Sequence, residues 1–98
     1  MDREIEAVAM ISAQGHLAVW CDDDGMLFLR PVEAWVLHRD GIVAGVTIGT
    51  DGACRCEEDN NFIGFCRVEE AAIADKIFDE AKAQYMQRAR IWKEKWQR

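Results

Sequence analysis

The spacing of apolar residues changes near residue 69 of this 98-residue chain. Before that point, short apolar or alternating segments are separated by polar turns, which is typical of β-strands. After it, apolar side chains recur at every third or fourth position without an intervening Gly or Pro, which is typical of an amphipathic α-helix. We therefore predict a single α+β domain over residues 1–98, with an antiparallel meander of about five or six short strands over 1–68 and one long helix over 69–98 packed on one face.

Turn signals separate the apolar segments at intervals of roughly 8–12 residues, as expected for a meander. Pro31 cannot donate to a sheet ladder, so we expect a bend or an edge strand there. The continuous apolar run over residues 26–29 predicts a strand covered on both faces or a kink. Three turns contain an Asp-Gly pair, which favours hairpins because Gly adopts positive φ without steric cost. The pairs are Asp24-Gly25, Asp40-Gly41 and Asp51-Gly52.

The C-terminal segment carries one apolar helical stripe. Its members are Ile73, Ile77, Ala81, Tyr85, Ala89, Trp92 and Trp96, widened by Phe78 and Met86. We expect the sheet to cover the first half of this stripe, which comprises Ile73, Ile77, Phe78 and Ala81.

The predicted helix is too long for its own sheet. A helix over residues 71–97 would run ~40 Å at 1.5 Å per residue, whereas a seven-residue strand spans only ~23 Å. We therefore expect Trp92 and Trp96 to extend past the sheet. They lie one helical turn apart and would form an apolar patch of a kind that monomers avoid. Another protein chain is expected to cover them.

The net charge of −6 hides a division along the chain. Residues 1–81 hold 6 Lys or Arg and 17 Asp or Glu, a net of −11, whereas residues 82–98 have a net of +5. The acidic balance argues against general nucleic-acid binding, which requires a basic face. The N-terminus resembles no leader, and no apolar run approaches the ~18 residues of a membrane span. We expect a cytoplasmic protein that does not enter a membrane.

Metal and catalytic chemistry are not predicted. Of the four cysteines, Cys54 and Cys56 have the closest spacing, but zinc sites usually use Cys pairs two to four residues apart. We expect reduced thiols without metal, with these two as the first ligands of an alternative zinc site. No nucleophile, phosphate-binding or paired-carboxylate motif stands out, so we predict no enzyme activity, no catalytic residue and no cofactor.

These features favour a non-enzymatic protein-interaction module, self-associating as a homodimer or larger assembly through its C-terminal helix. Trp, Tyr and Arg are the residues most often found as interface anchors. The expected contact residues are Tyr85, Arg88, Trp92 and Trp96.

Two alternatives are kept. In size and charge the chain resembles, as a class only, small acidic proteins of phages and mobile elements, including nucleic-acid mimics and anti-CRISPR proteins. The resemblance implies an inhibitor whose carboxylates replace phosphates. Those carboxylates are Asp22, Asp23, Asp24, Glu57, Glu58 and Asp59. A third interpretation is a small-ligand binder with a pocket lined by Trp20, Trp35 and Phe65.

The acidic turns are expected to be exposed and structurally passive. Exposed turn charges usually change stability by under ~0.5 kcal/mol. Charge reversal over residues 22–24 is therefore expected to leave the fold intact.

Overall fold

The computed structural model describes residues 7–49 and 52–96, and it confirms the α+β class. In this part of the chain seven strands precede the helices. They are β1 (Ala7–Ser12), β2 (His16–Cys21), β3 (Leu27–Pro31), β4 (Ala34–His38), β5 (Val43–Gly49), β6 (Gly52–Arg55) and β7 (Phe62–Arg67). A 3-10 helix, Cys56–Glu58, joins β6 to β7. A second 3-10 helix, Val68–Ile73, leads into α1 (Ala74–Ile77) and α2 (Asp79–Trp96).

The strands form two antiparallel sheets instead of one continuous meander. One has the order β1-β4-β5-β6 and the other the order β3-β2-β7. The neighbours β2–β3, β4–β5 and β5–β6 are hairpins between consecutive strands, as the turn signals predict. The pairs β1–β4 and β2–β7 join strands that are far apart in sequence, and local turn signals carry no information about them.

The three-stranded sheet lies between the four-stranded sheet and the helices. Ala18 and Trp20 of β2 belong to a core cluster that includes Trp35 of the four-stranded sheet. Val19 of the same strand belongs to a second cluster with Phe78 on the helical side. Because successive strand residues point to opposite faces, β2 serves both cores.

The turns and Pro31 lie where the sequence predicts. Gly25 and Gly41 have φ values of +86° and +90°, in the region that Gly reaches without steric cost. Residues 50 and 51, in the third Asp-Gly turn, lie outside the described part of the chain. Pro31 ends β3, which is an edge strand of the smaller sheet.

Of the two interpretations of residues 26–29, a strand covered on both faces or a kink, the first is wrong. Met26 is 62% exposed and Phe28 is 51% exposed. Leu27 and Leu29 instead pack against the core on the helical side. The reason is that β3 lies at a sheet edge, where alternate side chains face solvent.

The helical segment departs from one regular helix at its start. Residues 68–73 form a 3-10 helix and α1 ends before Phe78, so the rotation per residue differs from that of a continuous α-helix. Ala74 and Phe78 are buried, whereas Ile73 and Ile77 are 51% and 43% exposed. The expected burial is therefore confirmed for Phe78 and wrong for Ile73 and Ile77. Ala81 packs partly buried against the core.

No helix in the described part of the chain combines the length and the apolar character needed to cross a membrane.

Candidate functional site

The helix α2 is held to the body of the domain by the turn between β2 and β3. The Tyr85 hydroxyl donates a hydrogen bond to Asp23 Oδ1 at 3.0 Å, and Lys93 Nζ lies 3.3 Å from Asp23 Oδ2. A Cβ on Gly25 would lie 3.0 Å from Met86 Sδ, so the helix contacts the turn backbone closely. One acidic side chain thus joins two positions of α2 that are two turns apart.

The contact shifts the pKa values of Asp23 and Tyr85 in opposite directions. The hydrogen bond from Tyr85 lowers the pKa of Asp23, and the nearby Lys93 ammonium lowers it further. Burial raises the pKa of Tyr85, and its hydrogen bond to the Asp23 carboxylate raises it again. Both shifts favour the ionised Asp23 and the protonated Tyr85 that the contact requires.

A groove of about 440 Å³ lies between the turn and α2. Its lining residues are Asp23, Asn60, Tyr85, Arg88, Ala89, Trp92 and Lys93. Three of the four predicted contact residues, Tyr85, Arg88 and Trp92, therefore come together on one surface. The side chain of Trp96, the fourth, lies outside the described part of the structure.

The apolar stripe of α2 continues beyond the part of the helix that packs on the sheet. Tyr85 and Ala89 are half-buried, but Trp92, one turn further on, is 64% exposed. Its neighbour Ile91 is 56% exposed. The expected exposure of Trp92 is confirmed, whereas the continuous helix over residues 71–97 on which the length comparison rested is replaced by a 3-10 helix, α1 and the 18-residue α2.

Comparison with protein-family models, with curated proteins and with solved structures finds no match. The chemistry of the surface around α2 is therefore the basis for a functional assignment.

The three aspartates of the β2–β3 turn have different environments. Asp22 Oδ1 accepts hydrogen bonds from the backbone N–H groups of Asp24 and Met26, each at 2.9 Å. Asp23 binds α2 as described. Among the described residues, no side-chain hydrogen bond or ion pair involves the Asp24 carboxylate. Asp22 and Asp23 therefore have partners within the chain, and the expectation that charge reversal over residues 22–24 leaves the fold intact stays a prediction.

The second acidic group, Glu57 to Asp59, is also engaged within the chain. Asp59 Oδ2 accepts a hydrogen bond from Trp20 Nε1 at 2.9 Å. Glu57 Oε2 accepts one from the backbone N–H of Gly45 at 3.1 Å, which links the first 3-10 helix to β5. Glu58 lies 3.9 Å from Arg55 in an exposed ion pair. Five of the six carboxylates of the inhibitor alternative thus have internal partners.

The aromatic side chains of the third interpretation form core. Trp20 is buried, and Trp35 and Phe65 pack against its cluster. The Trp35 and Phe65 ring centroids are 4.8 Å apart in an edge-on arrangement, a favourable geometry for aromatic pairs. These rings pack in the space between the two sheets.

All four cysteines are free, and the two closest in sequence have opposite environments. Cys54 is exposed on β6, whereas Cys56 is buried. Burial raises the pKa of Cys56 to about 11, so its thiol stays protonated near neutral pH. Within the described residues no three His, Cys, Asp or Glu side chains form a group suited to a metal ion.

A second cavity, of about 280 Å³, brings together residue types used in hydrolases. Ser12, His16 and Glu33 are among its lining residues. Ser12 Oγ accepts a hydrogen bond from the Gln14 backbone N–H, and the His16 ring packs edge-on against Trp35. No hydrogen bond between the side chains of Ser12, His16 and Glu33 is found in the described part of the chain.

Proposed function

We propose that this chain is a non-enzymatic protein-interaction module that self-associates through its C-terminal helix, α2. The observation that carries the proposal is the 64% exposure of Trp92, on an apolar stripe that outruns its own sheet. Tyr85 and Arg88 line the same groove as Trp92, and these three residue types are the commonest anchors of protein interfaces. A net charge of −6 favours a protein partner over nucleic acid, and we place the module in the cytoplasm.

Burial of Trp92 against another chain would stabilise the assembly by several kcal/mol. Removing a well-buried Phe or Trp side chain from a core costs about 3–5 kcal/mol, and an aromatic anchor at the centre of an interface contributes through the same burial. Ile91, 56% exposed beside it, extends the apolar area. The end of α2 therefore has the composition of an interface centre and lacks the cover that its own sheet gives to Phe78.

A second copy suits this surface because the charges of α2 are complementary to themselves. Asp79 and Glu80 lie in its first turn, and Lys93 and Lys95 lie in its last turn. Antiparallel packing of two α2 helices places the acidic start of one beside the basic end of the other. The net charge of +5 over residues 82–98 of one copy is also attracted to the net charge of −11 over residues 1–81 of the other, which favours association.

The test compares Trp92→Ala with Phe28→Ala by sedimentation velocity. Phe28 is a matched control because it is an aromatic residue, 51% exposed, on the face of β3 opposite to Leu27 and Leu29, which pack towards the helices. We expect Trp92→Ala to lower the sedimentation coefficient of the assembly while Phe28→Ala leaves it unchanged. Circular dichroism should show both variants folded. Equal sedimentation of the wild type and Trp92→Ala would refute the proposed contact.

A further inference from the structure

The helical segment has an outward face that points away from the sheets. Ile77, Gln84 and Ile91 are seven residues apart, which is about two helical turns, so they lie in one line along the helix. All three are exposed, Ile77 at 43% and Ile91 at 56%. Met86, which contacts the β2–β3 turn, lies on the opposite side of α2. Two large apolar side chains are therefore left on the solvent side of the helix.

The irregularity at Phe78 does not interrupt this line. The backbone N–H of Phe78 donates to the Ala74 carbonyl at 2.9 Å, and the N–H of Lys82 donates to the Phe78 carbonyl at 2.8 Å. These are the hydrogen bonds between residues four apart that define an α-helix, so α1 leads into α2 along one helical path. Ile77, at the end of α1, therefore belongs to the same surface as the exposed residues of α2.

Two opposite charges flank the centre of this line at equal distances. Glu80 lies four residues before Gln84, and Arg88 lies four residues after it, about one turn in each direction. Both charged side chains are exposed. Among the described residues, no hydrogen bond or ion pair involves the side chain of Glu80, Gln84 or Arg88. From Ile77 to Ile91 the outward face thus has the order apolar, acidic, polar, basic, apolar.

We propose that this outward face packs on the same face of a second copy, as an antiparallel helix pair whose twofold axis passes beside Gln84. Antiparallel packing places Ile77 opposite Ile91 of the partner subunit and Glu80 opposite Arg88 of the partner subunit, twice in each dimer. The two Gln84 side chains meet at the axis, where each amide can donate to the other and accept from it. The proposal rests on the self-association proposed above and specifies its register.

The occupant is a second copy because the face is complementary to its own reverse. Displacing one helix by seven residues would put Ile91 opposite Gln84 and leave Ile77 without an apolar neighbour, so the match selects one register. The segment from Ile77 to Ile91 holds two acidic and three basic residues. The contact is thus nearly neutral, although each whole chain carries −6. Trp92, next to Ile91 in the chain, lies at the edge of the same contact.

The test is charge reversal with rescue, measured by sedimentation velocity on the full chain. In a pair of Glu80→Arg chains only positive charges would face each other at these positions, and in a pair of Arg88→Glu chains only negative ones. Each variant alone should therefore show a dissociation constant raised at least roughly tenfold, since facing like charges oppose association. An equimolar mixture of the two variants has opposite charges across the contact at both positions and should associate as tightly as the wild type.

Arg90→Glu is the matched control. It changes the net charge by the same amount as Arg88→Glu, but two residues further along the helix the side chain points about 200° away from that of Arg88. Its dissociation constant should stay close to that of the wild type. An equal loss of association in Arg90→Glu and Arg88→Glu would show that net charge, and not the proposed pairing, controls the assembly, which contradicts the register.

The outcomes separate the register from the function on which it rests. If Trp92→Ala disrupts the assembly but Glu80→Arg and Arg88→Glu do not, the register is wrong and self-association through α2 stands. Failure of the equimolar mixture to associate also overturns the register. If the wild type is a monomer at every concentration, both proposals are wrong.

Discussion

At the scale of single residues, neighbouring carboxylates of the β2–β3 turn make different contacts. Asp22 accepts two backbone hydrogen bonds within the turn, and Asp23 ties the turn to α2 through Tyr85 and Lys93. Asp24 is exposed and has neither kind of contact in the described structure. A run of three aspartates before Gly25 predicts a turn, but it does not tell which of them contacts the helix, because that depends on the position of α2 in the fold.

We expect Asp22→Ala to lower the free energy of unfolding by about 1–2 kcal/mol, since it leaves two turn N–H groups without their acceptor. Asp24→Ala is the matched control, and its effect should stay within about 0.5 kcal/mol. Urea denaturation of both variants measures the difference. Equal stabilities of the two variants would mean that the Asp22 hydrogen bonds contribute nothing net.

At the scale of elements, the approach of the helical segment to the sheet depends on Gly64. A Cβ at this position of β7 would lie 2.6 Å from Phe78 Cε1, which is closer than packed atoms approach. The absent side chain lets the Phe78 ring lie directly on the strand, at the point where α1 ends and α2 begins. The position of α2, and with it the Tyr85–Asp23 contact, follows from this packing.

Gly64→Ala should therefore lower the free energy of unfolding by about 1–3 kcal/mol more than Gly41→Ala, the cost typical of overpacking a core. Both glycines have positive φ, at +151° and +90°, but a Cβ on Gly41 would meet nothing within 4 Å. Thermal or chemical denaturation gives the comparison. If Gly64→Ala lowers the free energy of unfolding no more than Gly41→Ala does, the Phe78 ring moves aside without destabilising the fold.

The elements themselves were largely predictable, because hairpins and helices have local signals. Asp-Gly turns, Pro31 and the change of apolar spacing locate most strand ends and the helical segment. The division into two sheets was not predictable, since the β1–β4 and β2–β7 pairs have no local signature. The irregularity between α1 and α2 at Phe78 was missed because the segment contains no Gly or Pro to signal it.

At the scale of the whole molecule, the exposure of Trp92 could be predicted by comparing the length of the helical segment with that of the sheet. A helix longer than its sheet leaves Trp92 beyond the core, whatever the sheet topology. The groove beside it could not be predicted, because Asp23 and Asn60 reach α2 only through the pairing of β2 with both β3 and β7. Most of the acidic residues of the inhibitor alternative have partners within the chain, but Asp23, Asp24 and residues 57–59 stay exposed, so that alternative stays a hypothesis.

The central claim, that this chain associates with itself, is tested most directly by the mass of the unmodified protein in solution. Light scattering over a range of micromolar concentrations should give a mass of at least twice the 11.2 kDa of one chain, falling towards that value on dilution. A mass of 11.2 kDa at every concentration would contradict it.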